Sequence, residues 1–424
     1  MQNNLVVSRI RFYFTFVLSG LLIAILFHYS MRRFFGLGYP WNTFLLDPSD
    51  RFNDWYNSVF SAATMDPYYK HGVAISTYFP FAYVLLQVGS FFSRRGSLLV
   101  YLASSIGLLM SGIVIFWRIY LVPKIDDAPV KFWSVGLFIS SVAFCYPLIF
   151  ALDRGNIDTW VAGLCLIYVV LLRTQYNLLG FLAIGIAIAI KGYPAAFLLL
   201  GMVDKQYRLV LWAIIVSIAL TFYSLHHFSG GFLYNLHGFR QGLQDFRNMY
   251  VLGAGGIGSS ADPYNGIRTL LMMFNPAWLS GNIRLVLLQA YDILALFFAG
   301  ISVYFILFVS VPRWRQVLAT CLLAVLFPDV IMHYKLLVLL PGVFMLFTDA
   351  DNSKQLRRSL IYLAILMIPK SYLYIKGISV SGIINPIFLV LLVWNVFDDK
   401  VAWIDSFKEM RFNWLNFIAH RRAG

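Results

Sequence analysis

Charge is what this 424-residue chain has least of: Asp, Glu, Lys and Arg make up only 12% of it, against 60% apolar and 17% aromatic residues. A soluble globule with that balance would expose large apolar patches, so the composition excludes one and marks an integral membrane protein. Cysteine is scarce too. Cys145, Cys165 and Cys321 all lie within apolar runs with no pairing or metal-ligand spacing, so a disulfide framework is excluded and they read as small core residues. Acidic residues are outnumbered, 19 against 33 Lys and Arg. The resulting formal charge of +14 does not call for nucleic acid, because cytoplasmic loops of polytopic proteins collect Lys and Arg with no polyanionic partner.

Apolar runs recur near 12–30, 78–93, 97–122, 133–151, 157–172, 177–191, 193–203, 208–226, 284–310, 316–329, 333–348, 357–375 and 380–397. Lipid cannot satisfy open strand edges and the runs lack barrel-like alternation, so each is helical. The chain is therefore read as all-α and polytopic, a single transmembrane domain over 1–424 with about 11–13 transmembrane helices. The first run lacks a small-residue cleavage site and is followed by many others, as expected of a first span rather than a removed signal. Two hydrophilic stretches interrupt the pattern, 31–77 and 227–282.

Basic clusters set the orientation: Arg9 and Arg11, Arg118 with Lys124 and Lys131, Arg173, Lys205 with Arg208, Arg313 with Arg315, and Lys354 with Arg357 and Arg358 belong in the cytoplasm. Residues 31–77, 152–156, 191–192, 227–282 and 328–334 then share the outer face. Segments 78–93 and 97–122 fit this trace only if one of them half crosses the bilayer.

The first outer loop carries Asp47, Asp50, Arg51, Asp54, Asp66 and Lys70, too polar for lipid. Asp47 in "DPSD" and Asp66 in "MDP" read as turn and cap residues. Asp54 stands inside "DRFNDWYNSV", an amphipathic stretch with Trp55 and Tyr56 beside it, where no cap is needed and a general base is suited. Further polar interruptions fall on the same face: Asp153, Arg154, Asn156 and Asp158 in "ALDRGNIDTW", Lys191 in "AIAIKGYPAA", and Asp329, His333 and Tyr334 in "FPDVIMHYKLL". Ionisable groups in such places are costly and mark sites, although Arg154 could instead pair structurally with Asp153 and Lys191 could snorkel to headgroups. Together they fit deprotonation of an alcohol and retention of a leaving phosphate. The loop 227–282 adds Arg240, Arg247, Tyr250 and Tyr264 in "NLHGFRQGLQDFRNMY" and "DPYNGIRTLL"; its "GAGG" at 253–256 reads as a mobile linker or as a lid closing over substrate.

In order along the chain, "DWYNSV", "DPYY", "YFPFAYVLL", "RGNIDTWVAGLCLIYVVLL", "GFLAIGIAIAIKGYPAAFLLL" and "FPDVIMHYKLLVLLPG" resemble the GT-C membrane glycosyltransferases of family 87 across roughly residues 50 to 345. The resemblance implies a GT-C fold, a catalytic Asp in the loop after the first helix, and inverting transfer of one sugar from a polyprenyl-phosphate donor to an outer-facing lipid, glycan or glycoprotein. It makes Asp54 the base and assigns Lys191 and His333 to the donor phosphate or to substrate positioning; Arg154, Asn156, Tyr334, Tyr56, Arg240 and Tyr264 are read from their own polar and aromatic chemistry as substrate-binding residues. Where the family has Tyr-Pro-Pro this chain has Tyr78-Phe79-Pro80, and Tyr56 follows Asp54 by two positions. Those departures leave Asp50 as a rival base. The expected setting is a bacterial inner membrane with the site on the periplasmic face, in contact with membrane lipid, with no nucleic acid and no cofactor; "DPSD" is a weak metal candidate. A lipid-linked glycan polymerase or ligase shares the donor class and stays open. A flippase would instead show inverted repeats and charges at mid-bilayer, whereas no repeat is found and the charges gather on one face.

Overall fold

The computed structural model describes residues 2–45, 47–69, 78–125, 128–275, 282–326, 330–370 and 373–409; Lys70 and Asp329, both expected on the outer face, lie outside them. Where no polar residue interrupts an apolar run, the run forms one long helix. Thus α1 (Gln2–Phe35) is followed by the short α2 (Asn53–Ala63) and α3 (Pro80–Ser90) and then by α4 (Arg94–Phe116), which continues through single turns to Lys124. α3 has 11 residues, roughly 16 Å, about half of a hydrocarbon core, while α4 with its continuation has 31. By length alone α3 is too short to span the hydrocarbon core and α4 with its continuation is long enough.

α5 (Ala128–Ala143) and α6 (Tyr146–Arg154) meet at a 53° bend, where Pro147 sits at the start of α6 and cannot continue the preceding hydrogen-bond ladder. Then come α7 (Asp158–Leu171), α8 (Asn177–Ile190), α9 (Leu198–Val203), α10 (Tyr207–His227), α11 (Gly231–Arg247), α12 (Pro263–Phe274), α13 (Asn282–Phe308), α14 (Arg313–Leu326), α15 (Leu340–Thr348), α16 (Lys354–Leu366) and α17 (Ser381–Phe397). A two-stranded hairpin, β1 (Tyr374–Ile375) with β2 (Ile378–Ser379), separates the last two helices. The expected apolar segment 357–375 therefore stops at Leu366 and turns back on itself.

The chain is an all-α polytopic membrane protein. Among the described residues four helices cross by length and apolarity alone, within 5–35, 94–124, 207–227 and 283–308, or up to six if each bent pair counts as one span. Several other apolar runs form helices of 10–17 residues, so the 11–13 expected from hydropathy exceeds the number that cross by length alone. These shorter helices make the core. α7 is buried along its whole length except at Ile167, as a helix apolar on every side must be, and it packs between α4 and α8. Gly112 on α4 and Gly163 on α7 permit that approach: a Cβ at either would stand 2.8 Å from the Leu166 side chain or 3.0 Å from that of Leu108.

The described part of the second hydrophilic stretch, 227–275, is built around α11 and α12. Asp262 caps α12, accepting from the Asn265 amide at 2.7 Å, Pro263 follows at N1, and Arg268 holds the carbonyls of Val251 and Gly253. The "GAGG" segment is thereby fixed against the rest of the chain.

Helix ends sort the charges. Arg173 and Arg313 both pair with Asp204, at 2.6 and 3.0 Å, Arg315 pairs with Asp399 at 2.6 Å, and Arg9 donates to the Leu346 and Asp349 carbonyls at the end of α15. α1, α8 and α17 connect these basic groups with the segments near Tyr39, Lys191 and Ser381, which belong to the other end. The three cysteines are buried, so introduced thiols report sidedness. Cysteines at Ser49 and Gln241, both exposed, are expected to react with an impermeant thiol reagent from outside the cell, and one at Asn352 only after permeabilisation. Labelling of the Asn352 variant alone in intact cells inverts the orientation.

Candidate functional site

A cavity of about 400 Å³ lies where the helix interruptions meet. Asp54 and Arg154 line it together with Tyr39, Phe44, Tyr146, Phe150, Tyr250, Tyr334, His333, residues 255–259 except Gly256, and Tyr374 with residues 377–379 of the hairpin.

Asp54 reaches the cavity because its neighbour is anchored the other way. Trp55 is 1% exposed; its indole donates to Ser97 Oγ at 2.9 Å, and its ring packs on Tyr101 and Trp160. Burial of so large a ring fixes the first turn of α2. The turn that meets it is "RGN". α6 ends at Gly155 with φ +72°, a left-handed cap that favours glycine, and a Cβ there would stand 2.6 Å from that of Trp55. Glycine thus serves both the turn and the contact. Tyr101 Oη donates to the Ala151 and Asn156 carbonyls, each at 3.1 Å, and the Phe52 amide donates to the Asp153 carbonyl at 2.8 Å. So placed, Arg154 Nη2 donates to Asp54 Oδ1 at 2.5 Å and Asn156 Nδ2 to Oδ2 at 2.8 Å. Arg154 therefore pairs with Asp54, while Asp153 takes Arg51 at 3.4 Å.

Asp50 is exposed in a 3-10 turn, accepts from Asn53 Nδ2 at 2.8 Å, and does not line the cavity. Asp47 caps that turn, accepting from the Ser49 amide, as "DPSD" led one to expect. Tyr56 is also off the cavity wall, beneath the Arg94 guanidinium at 4.4 Å.

His333 and Tyr334 are both cavity residues. Both ring nitrogens of His333 are engaged from α17, Nδ1 by Asn385 Nδ2 at 3.0 Å and Nε2 by Ser381 Oγ at 3.2 Å, and Phe150 stacks on Tyr334. Lys191 has another partner. It forms an ion pair with Asp158 at 2.6 Å and does not line the cavity.

From the second hydrophilic stretch, Arg240 is exposed on α11 and Tyr264 is buried against Tyr291, and neither lines the cavity. That stretch contributes Tyr250, Gly255 and 257–259 instead. They are held in place by Ser260, whose hydroxyl accepts from the Ile331 amide at 2.9 Å, and by Ala261, whose amide donates to the Ile331 carbonyl at 2.7 Å. Burial first, and the nearby Asp54 carboxylate second, push the Tyr250 phenol above its ordinary pKa, so it stays a neutral donor. Burial and Tyr39 likewise push Tyr374 up to about 12. The hairpin carrying Tyr374 turns through Lys376 and Gly377, with φ +50° and +76°, and Lys376 Nζ donates to the Met273 carbonyl at the end of α12. "KG" between strand-like residues is a hairpin signal, one that the apolar run around it conceals. Among the described residues no three His, Cys, Asp or Glu side chains gather in a metal-binding group.

The wall thus offers a fixed carboxylate, a guanidinium, neutral phenols and aromatic faces, the equipment for holding a polar ring and taking a proton from a hydroxyl. No curated protein and no solved structure matches the chain. Residues 77–338, well over half of it, match the family model of glycosyltransferase family 87, a region that includes Arg154, Asn156, Lys191, His333 and Tyr334. Composition, helical architecture and this match lead to one conclusion: the chain belongs to glycosyltransferase family 87 and is a glycosyltransferase of the membrane.

Proposed function

We propose that this glycosyltransferase has a GT-C fold, sits in a bacterial inner membrane, and moves a single sugar from a polyprenyl-phosphate donor to a hydroxyl of an outer-facing lipid, glycan or glycoprotein, with inversion at the anomeric carbon. One observation carries the proposal: Asp54 lies on the wall of an aromatic-lined cavity with each carboxylate oxygen held by a separate donor. A base fixed in that way meets the acceptor without reorienting. The acceptor oxygen attacks the anomeric carbon from the face opposite the phosphate, and its proton passes to Asp54. The bond from the anomeric carbon to the phosphate oxygen breaks, and its electron pair leaves with polyprenyl phosphate. Arg154 is the cation on the cavity wall, suited to offset negative charge as it develops, and we assign His333 to the donor's side. A lipid-borne donor fits a site at the bilayer boundary, where the sugar reaches the cavity and the chain stays in hydrocarbon.

Two measurements test this. Purified protein given short-chain polyprenyl-phosphate sugars is expected to release polyprenyl phosphate as one sugar of inverted configuration appears on the acceptor; transfer from nucleotide sugars alone sinks the donor assignment. Asp54→Asn is expected to fold and insert normally but to lose about a hundredfold or more in turnover, while Asp50→Asn stays near wild type. If Asp50→Asn is the dead variant, the base belongs to the 3-10 turn.

A further inference from the structure

Lys191, Asp158 and Tyr193 form a charged cluster beside the cavity but not on its wall. Asp158 is 1% exposed. Its Oδ2 takes the Lys191 ammonium at 2.6 Å and its Oδ1 the Tyr193 hydroxyl at 2.5 Å. The chain break makes this possible. α8 stops at Ile190, Lys191 is extended with φ −150° and ψ 133°, and a 3-10 turn begins at Tyr193 with Pro194 behind it. Both residues of "KGY" that carry polar side chains therefore address one carboxylate, which stands in the first turn of α7, where the helix dipole favours an anion.

From the backbone of the same residue, Asp158, two hydrogen bonds lead to Asp54. The Asp158 backbone amide donates to Asn156 Oδ1 at 3.0 Å, which leaves the Asn156 Nδ2 group to donate to Asp54 Oδ2 at 2.8 Å. The start of α7 thus decides which way the Asn156 amide faces. Lys191 also stands over the rings of Tyr78 and Tyr334, at 5.0 and 5.9 Å, and Tyr334 lines the cavity.

We propose that Lys191 is a positioning residue: by neutralising Asp158 it holds the first turn of α7, and through it Asn156 and Asp54, in the geometry for proton removal. The role rests on Asp54 being the base. A ligand of the donor phosphate would stand on the cavity wall, as Arg154 does; Lys191 does not line it, and its ammonium is held by the Asp158 carboxylate and flanked by the Tyr78 and Tyr334 rings. Losing one partner of such a pair leaves a buried charge alone, whereas replacing both leaves none.

The test is steady-state kinetics of the full-length enzyme in liposomes, varying short-chain polyprenyl-phosphate sugar and acceptor separately, for Lys191→Met, Asp158→Asn, the double variant, Tyr193→Phe and Asp54→Asn. Lys191→Met is expected to lower kcat by up to about a hundredfold, the scale on which a reacting group misplaced by an ångström costs, with donor KM unchanged. The double variant is expected to recover most of that loss. Tyr193→Phe unpairs no charge and covers the case in which Lys191→Met does not fold; it is expected to lower kcat several-fold at constant donor KM. A raised donor KM in Lys191→Met, with a double variant as poor as the single, would show Lys191 on the phosphate and overturn the positioning role. So would a Tyr193→Phe enzyme with wild-type kcat. An active Asp54→Asn enzyme overturns the base itself, whereas an inactive one beside a failed rescue overturns only the cluster's part.

Discussion

The contact between Asp54 and the Arg154-Gly155-Asn156 turn is the interaction on which the site depends. It joins the segment after α1 to the junction of α6 and α7, two segments about a hundred residues apart in sequence, and puts a carboxylate on a cavity wall. The contact is possible because a glycine replaces bulk at the touching point and because Trp55 is sunk between α4 and α7. Surface pairs such as Arg247 with Asp292 contribute at most about 1 kcal/mol. The partly buried pairs differ in that removal of one partner leaves the other charge stranded, at a cost of roughly 3–5 kcal/mol in a fully buried setting. Their position is thus enforced by what separation would cost, more than by what contact contributes.

Polar residues set in apolar runs were legible, and for a physical reason. Arg154, Asn156, His333 and Tyr334 interrupt sequences that lipid or core would otherwise keep apolar, Asp54 stands among aromatics in an amphipathic stretch, and all five lie on or beside the cavity wall. Lys191 was legible as a break residue but not as the partner of Asp158, since a hydropathy pattern carries no information on which opposite charge a helix end will meet. Asp47 and Asp50 were separable from Asp54 only in part: cap chemistry identified Asp47 from Pro48, while Asp50 shows its exposure only once the 3-10 turn is built.

Tyr39, Tyr146 and Tyr374 were not legible, because in a chain where aromatic residues make up 17% of all positions another tyrosine in an apolar setting carries no signal. They reach the cavity from three separate segments. Arg240 and Tyr264 stood out by polarity within a hydrophilic stretch, but α11 turns the first outward and α12 turns the second inward onto Tyr291. The fold class followed from composition alone. The number of crossings did not, because a helix buried among other helices is as apolar as one facing lipid, and α7 is of that kind.

The interruptions themselves are the deeper signal. α6 ends at Gly155, α8 at Lys191, a 3-10 run starts at His333, and the chain reverses at Lys376 and Gly377. Each exposes backbone groups that lipid could not satisfy, and such breaks survive within membrane proteins only where protein or a polar cavity receives them. Here neighbouring segments receive them: Tyr101 on α4 takes the carbonyls at the first break, and the Ser260 region binds Ile331 beside the third. Lys376 reaches back from the last to the end of α12. Chain breaks that would each be costly alone are paired by neighbouring protein at three places beside the cavity, and that pairing of buried backbone helps to bring a loop carboxylate, a helix-end cation and a hairpin tyrosine together.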